Sequence, residues 1–409
     1  MDIKIYKEDH TDSWEYLPDT FTLFQYLERK DLIELSKCSK SYRNQLERKV
    51  LEELSLITWR NNNWKIYYEL TKSWKYGKVL EIVITSLGNK LKLAKKLTLD
   101  CHTSYLFKDI FAKLMPNIKS LILYGSEEFN CCLGQGLISN LKGMENLEHL
   151  NIRYIWDTIT DNSTINQIFP KSLKTLKITY GCDFSNNDDK FTIYDTIDST
   201  YINLYSLSIV SNRMLQNLAC GVPNLQEVEI KDILNLDNSK LVDFLKSNPQ
   251  IRRINTKHIS YSDESLKILL YSNYLEHWNF LGGNWKEIKF DNLPSNYSIK
   301  YLKINSSMPS LLALQLIKAC KGLKTLDLTY YHSLNNLDWS KFEQNINILK
   351  ISCTSLDFNN IKEIDNSMIF NIVYVYARAS IKMYDINKLK NYKFTPSISN
   401  SFTLKLINK

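Results

Sequence analysis

Residues 147–152 read Leu147-Glu148-His149-Leu150-Asn151-Ile152: an apolar residue, two spacers, an apolar residue, one spacer and an apolar residue. The same order returns at residues 118–123, 173–178 and 323–328, among other places. Successive starting points lie about 25 residues apart, an interval typical of stacked structural repeats. We therefore number the positions of this motif from its first apolar residue and derive the expected fold from it.

The motif recurs from Ala94 to the C-terminal region. Its starts are Ala94, Ile118, Leu147, Leu173, Leu204, Leu225, Ile251, Leu275, Ile299, Leu323, Ile346 and Ile369. This order of residues with a period of roughly 20–29 is the signature of a leucine-rich repeat. A single repeat leaves an apolar face uncovered, and stacking on the next repeat covers it. The sequence therefore predicts one α/β solenoid of about twelve such units over residues 94–376.

Each unit is predicted to be a helix, a tight turn and a short strand. Positions four and six alternate with polar residues, which indicates a strand with one buried face, and helical spacing precedes many of the motifs. Parallel strands then line the inner side of a right-handed horseshoe and the helices line the outer side. The leucines at position four should be buried: Leu121, Leu150, Leu176, Leu207, Leu302, Leu326 and Leu349.

The side chains at positions three, five and seven should point to the inner, concave side. In the last unit this numbering assigns Asn371, Val373 and Val375 to that side. The candidate substrate-binding residues lie on neighbouring strands and the following loop: Arg253, Lys257, His277, Tyr301, Lys303, Tyr330 and Tyr331. Arginine engages carboxylates and phosphates through paired hydrogen bonds, so we expect an acidic or phosphorylated partner. Two alternatives stay open: solvated charges without a partner, and binding at the loop 182–200.

The residues before Ala94 lack the repeat period and are dense in helix signals. Leu23, Phe24 and Leu27 form one apolar stripe, and Asp31 precedes a second that begins at Leu32. A third helical stretch is predicted from about Ser41 to Trp59. Residues 59–93 are rich in aromatic side chains and should form a junction that caps the first repeat, with residues 79–84 as a degenerate first strand.

The order of residues in this N-terminal stretch resembles an F-box. Leu17-Pro18, residues 23–27 (Leu-Phe-Gln-Tyr-Leu), residues 31–36 (Asp-Leu-Ile-Glu-Leu-Ser), Cys38 and Tyr42-Arg43 follow in the family's order, although Tyr42 stands where Trp is typical. An F-box followed by ribonuclease-inhibitor-like repeats resembles the F-box/leucine-rich-repeat family. The resemblance implies that an all-α F-box-like unit binds the Skp adaptor of a cullin–RING ubiquitin ligase. The residues it assigns to that contact are Leu17, Pro18, Leu23, Phe24, Leu27, Leu32, Leu35 and Tyr42.

The sequence carries no nucleotide-binding, hydrolase, metalloprotease or kinase motif. We therefore expect no catalytic residue, no metal site and no cofactor. The net charge of +8 comes from interleaved charges, which argues against a nucleic-acid surface, and the Cys count of 8 is expected to represent free thiols. Without a signal-like segment or a long apolar run, the protein is expected in the cytoplasm or nucleus and off the membrane.

These inferences divide the chain into an F-box-like unit (1–58), the junction (59–93), the repeats (94–376) and a C-terminal cap (377–409). The resemblance implies a substrate-recruiting adaptor of an SCF-type ubiquitin ligase, a monomer within a hetero-complex whose repeats hold an unknown protein substrate. The alternative is a repeat-based interaction scaffold, outside any ligase, whose degenerate F-box no longer binds the adaptor. Neither reading makes the chain an enzyme.

Overall fold

The structure is a computed structural model, and it falls into two compact units, Met1–Leu150 and Asn151–Lys409. It describes residues 19–72, 76–100, 111–125, 141–154, 167–179, 191–231, 233, 235–257, 259–283, 285, 293–305, 308–329, 334, 337–342, 344–352, 358–376, 389–397 and 401–407.

The first unit combines a helical N-terminal part with the start of a parallel sheet. Its helices are α1 (Thr20–Tyr26), α2 (Arg29–Cys38), α3 (Lys40–Val50), α4 (Leu56–Asn62), α5 (Trp64–Lys72), α6 (Tyr76–Leu87) and α7 (Phe111–Leu114). Its strands are β1 (Glu53–Ser55), β2 (Lys96–Asp100) and β3 (Ser120–Tyr124), and β4 (His149–Arg153) lies where the two units meet in sequence. β1 pairs in parallel with β2, and β2 with β3.

Helices α1 and α3 begin at residues whose side chains cap the helix. The Asp19 carboxylate accepts hydrogen bonds from the backbone N–H of Phe21 at 3.0 Å and of Thr22 at 3.3 Å. Ser39 accepts one from the N–H of Tyr42 at 3.0 Å. Each cap satisfies a donor that the first helical turn leaves without a partner. The predicted helices near Leu23 and Leu32 are both present, as α1 and α2.

The predicted third helix from about Ser41 to Trp59 is wrong over residues 51–55, because the two helices α3 and α4 stand in its place. Helix α3 ends at Val50, and β1 follows at Glu53–Ser55. Residues 51–56 are a further copy of the repeat motif, in which Leu54 pairs with Leu97 of β2. Their apolar residues also match helical spacing, so the local pattern is ambiguous. The strand prevails because both Lys95 N–H and Lys96 N–H donate to the carbonyl of Glu52.

The strand predicted over residues 79–84 is also wrong, because this stretch lies within helix α6. Val79 and Val83, four residues apart, are 1% and 0% exposed, so one stripe of the helix packs into the core. Short apolar runs fit a strand and a buried helix equally well by pattern alone. The junction therefore consists of helices.

The second unit is a leucine-rich-repeat-type solenoid of parallel strands and helices. Its strands are β5 (Thr175–Thr179), β6 (Ser206–Ile209), β7 (Glu227–Ile230), β8 (Arg253–Lys257), β9 (His277–Leu281), β10 (Tyr301–Lys303), β11 (Thr325–Thr329), β12 (Ile346–Ser352), β13 (Phe370–Tyr376), β14 (Tyr392–Pro396) and β15 (Ser401–Leu406). The helices are α8 (Asn212–Asn217), α9 (Asn238–Ser247), α10 (Asp263–Tyr271), α11 (Ser310–Ala319) and α12 (Phe358–Ser367). β5 to β13 pair in parallel in chain order, and β15 and β14 close the sheet as an antiparallel pair.

The predicted burial of position four is confirmed. Leu121, Leu150, Leu176, Leu207, Leu302, Leu326 and Leu349 are each 1% exposed or less. Equivalent leucines stand side by side in register, as Leu302 does with Leu326 and Leu326 with Leu349. Each strand therefore presents the same face to the helices, as the motif requires.

The predicted register of the last repeat is wrong by one residue. Ile346 of β12 pairs with Phe370 of β13, so the last motif starts at Phe370 and not at Ile369. Val373 and Val375 are consequently buried, at 0% and 1% exposure, and do not lie on the opposite face as predicted. A one-residue shift exchanges the two faces of a strand, and burying both valines decides between the two registers.

A side-chain amide directly before many motifs ties each repeat to the preceding one. The amide nitrogen donates to a backbone carbonyl of the preceding turn in five pairs: Asn117 to Lys92 at 2.8 Å, Asn146 to Pro116 at 3.0 Å, Asn203 to Lys171 at 2.9 Å, Asn224 to Ile202 at 2.9 Å and Gln250 to Val222 at 2.6 Å. These bonds satisfy turn carbonyls that no strand or helix partner reaches.

Candidate functional site

The five candidate substrate residues that the structure describes lie on one face of the sheet of the second unit: Arg253, Lys257, His277, Tyr301 and Lys303. We call this the open face: it carries the side chains at positions three, five and seven of β5 to β13, while positions four and six face the helices. Pairing in register aligns the position-three residues Glu227, Arg253, His277, Tyr301 and Thr325 in one row across five strands. The structure thus brings together the strand residues that the sequence singles out.

Tyr301 is the centre of this row. The centroid of the Tyr301 ring lies 5.5 Å from that of the His277 ring. The Lys350 ammonium lies 5.9 Å from the Tyr301 ring centroid. The Tyr301 hydroxyl donates a hydrogen bond of 2.6 Å to Oδ2 of Asp327. Burial, and then the Asp327 carboxylate, raise the pKa of Tyr301, so the phenol stays protonated as a donor.

The acidic side chain of Asp327 organises this part of the open face. It is 4% exposed, and its Oδ1 accepts hydrogen bonds from the N–H of Thr329 at 3.0 Å and from the Thr329 hydroxyl at 2.6 Å. The Lys303 ammonium lies 3.7 Å from its Oδ2. Lys303 is therefore already neutralised by a buried carboxylate.

The other predicted cations also have acidic partners on the adjacent strand. Arg253 Nη1 lies 3.6 Å from Oε1 of Glu227, and Lys257 Nζ lies 3.5 Å from Oε1 of Glu229. Sequence alone places these acids on the same face but does not show which cation each one meets. The row from β8 to β10 is therefore a set of ion pairs, and half-exposed pairs of this kind add little stability.

Burial and the charges of the same row also change the pKa of His277. Burial, and then the neighbouring charge of Arg253, lower the pKa of His277. Its ring is therefore neutral at physiological pH, so it offers one donor and one acceptor and no positive charge. The chemistry that β8 to β10 offer a partner is polar and aromatic more than basic.

Several predicted site residues lie outside the described part of the chain: Leu17, Pro18, Tyr330 and Tyr331. The loop 182–200, the alternative binding site, is described only from residue 191 onward. There Asp195 is 3% exposed and accepts a hydrogen bond from the N–H of Thr192 at 2.8 Å, and it also accepts one from the Ser211 hydroxyl. This end of the loop is held by the core of the second unit.

The candidate adaptor residues divide into two groups by burial. Leu32 and Tyr42 are 2% and 9% exposed, so they support the packing of α2 on α3 and are not available to a partner. The half-buried residues are Leu23, Phe24, Leu27 and Leu35. Sequence reasoning missed Phe21 and Tyr26 of α1, which are 73% and 79% exposed; the sequence offers no local signal that they face solvent.

Among the described residues no group of His, Cys, Asp and Glu is arranged to hold a metal ion. In the same part of the chain, no helix combines the length and the apolar character needed to cross a bilayer. The described thiols of Cys38, Cys220 and Cys320 are free.

Comparisons with known proteins add little to this description. No protein-family model matches the chain, and no curated protein matches it. Among solved structures it is similar to the crystal structure of a TLR13–ssRNA13 complex, with 12% sequence identity and a TM-score of 0.38. The match covers 71% of this chain and 51% of that one, about half its length. The repeat fold assigned above rests on this chain's own strands and motifs.

Replacing Tyr301 by phenylalanine should lower the free energy of unfolding by about 1 kcal/mol, because Asp327 loses one hydrogen-bond donor while the ring contacts remain. Urea denaturation measures this effect. Tyr297→Phe is the matched control, since Tyr297 is 75% exposed and should lose nothing. Equal midpoints for the two variants would contradict the assigned role of the Tyr301 hydroxyl.

Proposed function

We propose that this protein is a substrate-recruiting adaptor of an SCF-type ubiquitin ligase, in which helices α1 to α3 bind the Skp adaptor and the repeats hold a protein substrate. The proposal comes from the F-box resemblance of residues 17–43 followed by leucine-rich repeats. One observation of the structure carries it: helix α1 has no buried residue.

The exposed surface of α1 is the feature that a partner would cover. Phe21 and Tyr26 are largely exposed, although large aromatic side chains favour burial. Beside them, α2 and α3 pack around Leu32, Tyr42 and Leu46 and form a stable support. Exposed apolar patches next to a packed support are typical of protein interaction sites.

The Arg29 side chain holds this support together. Its Nε donates to the carbonyl of Val50 at 3.1 Å, and its Nη2 donates to the carbonyl of Glu53 at 2.6 Å. It thereby joins the start of α2 to the end of α3 and to β1, the first strand of the sheet. A helical support fastened to β1 in this way suits a protein that links an adaptor to a substrate.

Such a protein performs no chemistry of its own. It raises the effective concentration of the substrate near the conjugating enzyme by holding both in one complex. We propose that the substrate docks on the open face from β8 to β11, where His277, Tyr301 and the paired charges lie. Residues of these types recur at the energetic centres of interfaces.

Co-purification with the Skp adaptor tests the proposal. Phe21→Ala/Tyr26→Ala should weaken binding by roughly tenfold or more, because two exposed aromatic anchors are removed and no core residue is touched. Tyr271→Ala/Tyr274→Ala is the matched control, since these tyrosines of the second unit are 70% and 55% exposed. The control should bind as the unchanged chain does.

The position of Leu32 decides which variants are informative. Leu32→Ala would disturb the packing of α2 on α3, so a loss of binding would not identify a contact. If the unchanged chain fails to bind the Skp adaptor, or if the α1 variant binds equally well, the adaptor proposal is wrong. The alternative of a repeat-based scaffold with a degenerate F-box would then take its place.

A further inference from the structure

Three lysines surround one glutamate on the open face, at β5, β7 and β8. Lys231, directly after β7, forms an ion pair with Glu229, and the Lys257 ammonium lies 3.5 Å from the same Glu229 oxygen. Lys177 of β5 acts electrostatically on both Glu229 and Lys231. This cluster differs from the row at β8 to β10, because its cations outnumber its acid.

Lys231 is the fixed member of the cluster. Its side chain is 9% exposed and its partner Glu229 is 20% exposed. Burial lowers the pKa of Lys231, but its ion pair with Glu229 opposes that shift and favours the charged form. Burial also disfavours the charged form of Glu229, yet the nearby lysines keep its pKa below the usual value. The two groups therefore form an ion pair already in place without a ligand.

The Lys231–Glu229 pair carries no net charge, so Lys177 and Lys257 supply the net positive charge of the cluster. Lys177 is exposed and has no ion-pair partner among the residues that the structure describes. Lys257 is 41% exposed and shares the single carboxylate with Lys231. With three ammonium groups and one carboxylate, the cluster has an excess of two positive charges. Such an excess in a partly buried place attracts an anion.

Ser208 of β6 lies on the strand between those of Lys177 and Glu229 and provides a hydroxyl. It is directly paired in register with Glu229 on the neighbouring strand, and it is 2% exposed although it occupies an open-face position. Its hydroxyl makes no hydrogen bond to a described residue. The Ser208 oxygen keeps some contact with solvent, so its hydroxyl can donate to an acceptor bound beside the surplus cations.

We propose that Lys177, Ser208 and Lys257 bind a phosphate monoester, with the Lys231–Glu229 pair as the fixed base of the site. The near-dianionic charge of a phosphorylated side chain matches the excess of two positive charges. Its oxygens accept hydrogen bonds from ammonium groups and from a hydroxyl, the donors that are present. The site lies N-terminal to the row around Tyr301 and does not depend on any ligase role.

Calorimetric titration of the full-length protein at low salt tests this site, with O-phosphoserine as the probe and serine at equal ionic strength as the blank. Lys177→Gln/Lys257→Gln should weaken phosphoserine binding by roughly tenfold or more, because the two exposed ammonium groups that give the cluster its excess charge are lost. Lys267→Gln/Lys362→Gln is the matched control, since both lysines are exposed and lie on helices α10 and α12. The control should retain the affinity of the unchanged protein.

Glu229→Gln gives a test of opposite sign. It removes the one negative charge of the cluster, so phosphoserine should bind more tightly, whereas a purely structural site would not gain affinity. If this variant does not fold, Lys177→Gln decides alone, because Lys177 is exposed and has no described ion pair to lose.

Three results would overturn the proposal: no phosphoserine binding, equal binding by the Lys177→Gln/Lys257→Gln variant, or binding of inorganic phosphate but not of phosphoserine. The last would mean an adventitious ion only. None of these measurements involves the Skp adaptor, so their failure leaves the proposed function untouched.

Discussion

Trp278→Ala is expected to lower the free energy of unfolding by roughly 3–5 kcal/mol, the cost typical of removing a large aromatic side chain from a core. Trp278 of β9 is 0% exposed. Its ring lies 4.5 Å from that of Phe280 and 6.3 Å from that of Tyr261, centroid to centroid. Tyr261 in turn stacks on Trp285 at 5.8 Å. The substitution would leave a cavity that these rigid rings cannot fill.

Urea denaturation, followed by hydrogen exchange of the β8 to β10 amides, measures this loss. Exchange is needed because repeat proteins unfold in parts and a single free energy can be misleading. Trp278→Phe is the control, since it retains an aromatic ring in the cluster and should cost clearly less. A loss below about 1 kcal/mol for Trp278→Ala would show that the cluster is not the core described above.

Asn296→Ala is the second substitution with a large expected effect, again roughly 3–5 kcal/mol, because several buried backbone groups lose their partners together. The Asn296 amide nitrogen donates to the carbonyls of Leu270 and Ser272, both at 2.8 Å. Its side-chain oxygen accepts from the N–H groups of Ser298 and Ile299, both at 2.8 Å. The side chain thus joins the end of helix α10 to the turn that leads into β10.

The control for this prediction is Asn273→Ala, an exposed asparagine in the neighbouring turn with no hydrogen bond among the described residues. It should leave the urea midpoint unchanged, whereas Asn296→Ala should lower it and speed hydrogen exchange of the Ser298, Ile299 and Tyr301 amides. Asn296→Asp would separate the two halves of the interaction, because it keeps the acceptor and loses the donors. Equal urea midpoints for Asn296→Ala and Asn273→Ala would show that the Asn296 side chain does not hold helix α10 to the turn before β10.

The open face of the second unit has two parts that offer different chemistry to a partner: the row at β8 to β10 and the lysine cluster around Glu229. On β8 to β10 the cations Arg253 and Lys303 each face a carboxylate, so they present little net charge. Around Glu229 the lysines exceed the acids, so net charge remains there. An acidic or phosphorylated partner, expected from the basic residues of the sequence, is therefore better suited to the cluster at Lys177 and Lys257 than to Arg253.

The repeat motif by itself determined the fold class, the parallel order of the strands and the buried positions. Leu302, Leu326 and Leu349 are buried as predicted. Apolar side chains at every second residue of a strand all lie on the same face, and that face is stable only when it is buried. The same local rule failed where two patterns coincide. Residues 51–56 match both a helix and a motif, and Val79 and Val83 match both a strand and a helix.

Only the tertiary structure decided the pairings between repeats. Arg253 meets Glu227, and Tyr301 meets Asp327, because parallel strands from distant parts of the chain stand in register. The register of the last repeat likewise became known only from the pairing of Ile346 in β12 with Phe370 in β13. A sequence records the types and spacing of side chains, whereas charge neutralisation and unpartnered hydroxyls depend on which neighbour lies across the strand. That neighbour is selected by packing and hydrogen bonding over the whole stack, and local spacing carries no information about it.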